Sequence, residues 1–212
     1  MKINPMVVDL SHYDNVGPTP PNTTLQGFKE AYASGIRGVI NKVTEGPGII
    51  DKSFGWRRKP ALAAGLLYAA YHFIRPGDVA LQVDKFLAAA TPDDKLGLAL
   101  DHEDRRVPLD AAREFLERVH DKTGRWPSLY SGFLVKEQLG SKKDKFWAGI
   151  RLWLSHYSSR PTWPPCWSVP WLWQYTGDGV GPSPHGVPGV EPGNQLDINS
   201  FDGTEEELAK TW

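Results

Sequence analysis

Residues 96–103, Leu96-Gly97-Leu98-Ala99-Leu100-Asp101-His102-Glu103, form an apolar run that ends in two acids. The turn cluster Pro92-Asp93-Asp94-Lys95 precedes it, so the run reads as a buried strand. Residues i and i+2 of a strand share a face. Both carboxylates are therefore expected to point the same way, about 6.6 Å apart along the backbone. The plain alternative is a pair of solvated charges entering a loop. Two paired acids at the mouth of an apolar strand instead suit scission of a glycosidic bond, which needs one protonated and one ionised carboxyl. Two further acids sit at comparable places. Asp9 follows Met6-Val7-Val8, and Asp197 stands between Gln195-Leu196 and Ile198-Asn199.

Outward from this strand the chain alternates. After Met6–Asp9 and a loop over Asn15–Thr23, a helix is expected from an N-cap at Thr23 or Thr24, with Leu25, Phe28 and Tyr32 at helical spacing and Gly35 as its stop. Ile36–Val43 reads as a strand, Ser53–Ala64 as a helix, Leu66–Phe73 as a strand and Asp78–Ala90 as a helix leading into residues 96–103. Pro108 opens the next helix, with Ala112, Phe115, Leu116 and Val119 as its apolar stripe and Gly124 at its close. Ser128–Ser131 is a short strand and Phe133–Leu139 a short helix. The rhythm then changes. Ile150–Tyr157, Trp171–Thr176 and Leu196–Asn199 read as strands separated by Pro/Gly-rich loops, and Thr204–Lys210 as a last helix. Five strand–helix pairs followed by three strands predict an irregular, TIM-like (β/α)5(β)3 barrel in a single α/β domain. An open doubly wound sheet fits less well, because Asp9-Leu10-Ser11-His12-Tyr13 carries no phosphate-cradling glycines.

The 212 residues, 40% hydrophobic, can bury one sizeable core. Twenty-four basic and 25 acidic residues are interspersed without a basic block, which argues against nucleic acid or an anionic membrane as partner. Cys166 is the single cysteine, so neither an internal disulfide nor a cysteine-based metal site is expected. No apolar stretch approaches membrane-spanning length. The start Met1-Lys2-Ile3-Asn4-Pro5 has no apolar signal region, which leads us to expect synthesis in the cytoplasm.

In a parallel barrel the C-terminal strand ends share one rim, where catalytic groups collect. The expected ends present Asp9; Lys42 and Glu45; Tyr71 and His72; Asp101 and Glu103; Tyr130; Ser155 and His156; Gln174; and Asp197. This ring suits a groove for a polar polymer. Two carboxylates about 5 Å apart at an effective dielectric near 20 repel by about 3 kcal/mol. Crowding is thus expected to hold a proton on the cluster near neutral pH. Glu103 has the longer side chain and is the candidate general acid/base.

In these segments the chain resembles the glycoside hydrolase family 25 lysozymes, the muramidases of phage endolysins, bacteria and fungi. The matching pieces are Val8-Asp9-Leu10-Ser11, Lys42-Val43-Thr44-Glu45-Gly46, Tyr71-His72-Phe73, Leu100-Asp101-His102-Glu103, Pro127-Ser128-Leu129-Tyr130-Ser131, Leu152-Trp153-Leu154-Ser155-His156-Tyr157, Trp173-Gln174-Tyr175-Thr176 and Leu196-Asp197-Ile198-Asn199-Ser200-Phe201. The resemblance implies a barrel of five strand–helix units and three strands. It also implies cleavage of the β-1,4 bond between N-acetylmuramic acid and N-acetylglucosamine in the peptidoglycan glycan strand. It makes Glu103 the proton donor, Asp101 its partner toward the substrate acetamido group, and Asp9 and Asp197 flanking acids. Tyr71, Tyr130 and Trp153 would line sugar subsites, with Lys42 and Gln174 as further substrate contacts. His102 lies on the other face of its strand and reads as a hydrogen-bonded outer residue.

No cofactor or metal is expected, and residues 1–212 read as one catalytic domain without a wall-binding module, a monomer acting on the wall after release as a phage or prophage endolysin. Two other readings are a chitinase-like N-acetylglucosaminidase and a sugar-binding phage structural protein that has lost catalysis.

Overall fold

The computed structural model describes residues 1–17, 24–191 and 193–212. Its centre is a closed ring of eight strands: β1 (Pro5–Leu10), β2 (Gly38–Glu45), β3 (Leu67–Phe73), β4 (Gly97–Asp101), β5 (Ser128–Ser131), β6 (Leu152–Ser155), β7 (Leu172–Thr176) and β8 (Asp197–Ser200). Neighbours from β1 to β7 run parallel. β8 is antiparallel to both β7 and β1 and closes the ring. The expected eight strands are all present, but the last is reversed, so Asp197 reaches the common rim from the start of its strand rather than from its end. The connection from β7 to β8, residues 177–196, holds no helix among its described residues to carry the chain back to the other rim, and an antiparallel return needs none.

Helices α1 (Thr24–Ala33), α2 (Ser53–Ala63), α3 (Val79–Ala90) and α4 (Leu109–Thr123) follow the first four strands. α5 (Phe133–Leu139) and α6 (Lys145–Gly149) lie between β5 and β6, and α7 (Glu205–Thr211) follows β8. The five-residue α6 was not expected from the sequence. Its cap, Asp144, accepts from the backbone N–H groups of Phe146 and Trp147. Residues 18–23, including the alternative cap Thr23 and most of the loop expected over Asn15–Thr23, lie outside the described residues. Asn15 and Val16 pair with Val190 and Glu191.

The period-2 alternation of each strand sorts its side chains into two layers. Val8, Val39, Tyr68, Ala70, Leu98, Leu100, Leu129 and Ile198 face the helices and join one large cluster. Val7, Ile40, Ala69, Ala99, Tyr130, Trp153 and Leu172 fill the barrel interior. On five of these strands the next inward position is polar: Asp9 above Val7, Lys42 above Ile40, Tyr71 above Ala69, Asp101 above Ala99 and Gln174 above Leu172. The site is thus the layer that covers the interior core.

The opposite mouth is closed by Phe201, Leu208 and Trp212. The Trp212 indole N–H donates to the Tyr68 carbonyl at 2.9 Å. A Cβ on Gly38 or Gly97 would stand 2.7 or 3.0 Å from the Trp212 ring, so only glycine fits at those two strand starts.

Candidate active site

At the rim lies an open cleft with about 200 Å³ of space for water-sized molecules, widening into solvent. Asp9, Asp101, Glu103 and Asp197 all line it, with Lys42, Tyr71, Tyr130 and Trp153, and with Ser11, Tyr13 and Phe73. β4 ends at Asp101, so Glu103 belongs to the loop rather than to the strand on which it was expected. It is exposed at the mouth of the cleft, whereas Asp9 and Asp101 are buried.

Asp9 is held by two amides. Gln174 Nε2 and Asn199 Nδ2 both donate to its Oδ2, at 2.9 and 2.8 Å. Each amide is oriented in turn. The Tyr130 and Tyr157 hydroxyls donate to Gln174 Oε1 at 2.6 and 2.9 Å, and the Trp153 indole N–H donates to Asn199 Oδ1 at 2.5 Å. Gln174 therefore lies beneath the cleft, 1% exposed, and not among its lining residues. Asn199 was not singled out in the sequence, where a polar residue within a strand gives no sign of facing an acid on another strand. The same bonds fix Tyr130 and Trp153 as the floor, 6% and 1% exposed.

All four acids have raised pKa values, and burial is the largest cause for each. Asp9 is pushed up to about 7, the two amide bonds partly opposing its desolvation. Asp197 is pushed up to about 9 by burial and then by repulsion from Asp9. Asp101 lies well above the usual carboxylate range. Burial is followed there by repulsion from Glu103, while Lys42 pulls in the other direction. Glu103 is raised as well, because the cleft walls displace water from an otherwise exposed group. The expected mechanism, crowding, ranks second at Asp101 and Asp197 and lower at Asp9, and burial is the sole cause at Glu103. Removing water from a carboxylate costs more than a neighbouring like charge does.

Lys42 is clamped by Glu45. Arg75 holds Glu45 through Nε and Nη2, at 2.9 and 2.7 Å, and reaches Asp104 at 3.0 Å through Nη1. Lys42 and Arg75 also stand 5.3 and 4.2 Å from the centre of the Phe73 ring. His72, expected at the rim, instead faces the helices. It is bonded to Thr44 and Gln82 at 2.8 and 3.1 Å and stacked on Phe115, and burial lowers its pKa to about 4. His102 is buried on the outer side with Nε2 2.8 Å from Gln138 Oε1.

Among the described residues no group of three or more His, Cys, Asp or Glu side chains is arranged to hold a metal ion. No described helix is long and apolar enough to cross a membrane. What the cleft offers is proton transfer between carboxyl groups of unequal burial, which suits acid–base scission of a glycosidic bond.

The family model described as glycosyl hydrolases family 25 matches residues 8–183. An N,O-diacetylmuramidase of a Chalaropsis species is 31% identical over 169 residues, spanning 69% of this chain and 80% of that protein. Among solved structures, the muramidase from Trichobolus zukalii is similar at a TM-score of 0.74 and 28% identity, covering 97% of this chain and 98% of that one. A family 25 lysozyme from Aspergillus fumigatus shares the fold at a TM-score of 0.76 and 24% identity, with 97% of each chain covered. The family match spans the barrel from β1 through β7, together with the loops that carry Glu103 and the cleft rim, and on that ground the chain belongs to glycosyl hydrolase family 25 and is a glycoside hydrolase.

Proposed function

We propose that this protein is a muramidase that hydrolyses the β-1,4 bond between N-acetylmuramic acid and N-acetylglucosamine in peptidoglycan, with Glu103 as proton donor. The observation that carries this reading is the gathering of Asp9, Asp101, Glu103 and Asp197 in one cleft of a family 25 barrel.

Glu103 is the acid that stands open to an arriving chain. It gives its proton to the glycosidic oxygen as the bond to the anomeric carbon breaks, and positive charge develops on the sugar ring. Asp9, with two amide donors favouring its ionised form, faces that charge. Asp101 Oδ1 is buried without a hydrogen-bond partner, which fits an atom that meets the acetamido N–H of the bound sugar. Water then adds to the anomeric carbon and gives its proton to the Glu103 carboxylate, which restores the acid for the next cycle. Tyr71 and Lys42 supply further contacts along the groove.

Mass analysis of fragments from digested, purified peptidoglycan tests this directly. New reducing ends on N-acetylmuramic acid are expected. Reducing ends on N-acetylglucosamine, or cleavage of chitin alone, would overturn it. Deployment as a monomeric endolysin is a separate part of the proposal. It is tested by co-expression with a membrane-permeabilising protein, which should lyse the host from within.

A further inference from the structure

Among the aromatic residues that line the cleft, Tyr13 alone has a free face. Trp153 and Tyr130 are the buried floor with their polar atoms engaged. Tyr71 is half-buried and edge-on to Trp153, with ring centres 6.3 Å apart. Phe73 has two cations over its ring. Tyr13 is 79% exposed. Among the described residues its hydroxyl and ring have no partner but the His12 ring, 4.0 Å away between centres.

Such exposure usually belongs to a loose loop, but this loop is pinned on every side. Asp14 Oδ2 accepts from the Ser11 backbone N–H at 2.7 Å, and the Asp14 N–H returns to the Ser11 carbonyl at 3.2 Å. Buried Arg57 donates to the Ser11 carbonyl at 2.8 Å and also to that of Asp14. Asp51 Oδ2 accepts from the His12 backbone N–H at 2.8 Å and lies 3.0 Å from His12 Nδ1. Asp51 is itself fixed by the Ser53 N–H and hydroxyl, at 2.9 and 2.6 Å. A large apolar face is therefore presented to water on a rigid mount, so little conformational entropy remains to be lost when a ligand covers it.

We infer that Tyr13, braced by the His12–Asp51 pair, is a stacking platform for a pyranose ring of the glycan strand beyond the scissile bond. The inference rests on the muramidase reading above. A β-linked hexosamine presents its axial C–H groups on one face, a flat apolar patch that matches an aromatic ring, and its hydroxyls stay in water at the rim. The platform lies at the cleft edge, so it grips the polymer without touching the reacting atoms.

Steady-state cleavage of purified glycan chains of at least six sugars tests this with Tyr13→Ala, Tyr13→Phe and Tyr13→Trp. Loss of one stacking partner predicts a KM raised roughly three- to tenfold for Tyr13→Ala with kcat retained. Phe and Trp at this position should restore the wild-type KM, which a role confined to loop folding would not do. An unchanged KM in Tyr13→Ala, or a fall in kcat that Phe does not rescue, overturns the platform while leaving the muramidase reading intact. If the wild-type protein neither binds nor cleaves these chains, both fail together.

Discussion

Asp9 and Asp197 stand directly opposite each other in the antiparallel ladder between β1 and β8. Cross-strand partners on one face are the nearest neighbours a sheet provides, and like charges there are destabilising. The pair relieves this by holding a proton, as the raised values of about 7 and about 9 express.

This arrangement sets a stability profile. An acid whose folded pKa lies above its unfolded value keeps its proton on folding after the unfolded chain has lost one, so stability falls as pH rises toward the folded value. Between pH 7 and 9 the loss from Asp197 is at most about 1.4 kcal/mol per pH unit. His72, lowered to about 4, adds little slope in that window. The melting temperature should therefore decline from pH 7 to 9, and Asp197→Asn should flatten the decline. Parallel slopes in both proteins would contradict the assignment.

Glu103→Gln removes the exposed acid and keeps the side-chain volume. Cleavage of peptidoglycan should drop by about 10²- to 10⁴-fold, while the melting temperature stays close to that of the wild type, because the residue lies in a loop at the cleft mouth. Clearing of cell walls near the original rate would show that another carboxyl donates the proton.

Gln174→Leu acts through Asp9. It removes a hydrogen bond that favours the ionised form, so the Asp9 pKa rises and the acidic limb of the pH–rate profile moves to higher pH. The Tyr130 and Tyr157 hydroxyls lose their acceptor, which costs about 1–3 kcal/mol of stability. A profile that falls uniformly without moving would assign Gln174 a purely structural role.

Trp212→Ala opens the lower mouth of the barrel. The indole is half-buried, so a loss of about 2 kcal/mol is expected, below the range for a fully buried tryptophan. Denaturant titration measures this. Refilling the space with Gly38→Ala, whose nearest obstacle is the Trp212 ring, in the truncated background should recover part of it, whereas Gly38→Ala alone should destabilise.

The strands and most helices were legible because each carries a strong local signal. Ser128–Ser131 and Phe133–Leu139 match their expected bounds, and Asp78 and Pro108 cap the helices they were expected to open. The direction of β8 was not legible, since a period-2 pattern reads the same both ways and carries no sign of which end meets the rim. Depth was hidden as well. Gln174 sits on the inward face as expected, yet it is buried against Asp9 and is not among the residues that line the cleft. Asn199 acquires its role from the register between β8 and β1, and Tyr13 is positioned by the bonds its neighbours Ser11, His12 and Asp14 make to Asp51 and Arg57. None of these relations is local in sequence.

Closing the ring through β8 has a consequence for biogenesis. Residue 9 leaves the ribosome early and residue 197 late, and every interior wall but one can be laid down before they meet. Because contacts of such long sequence separation form slowly, the pairing that brings Asp197 opposite Asp9 belongs to the late steps of folding, and the cleft gains that wall last.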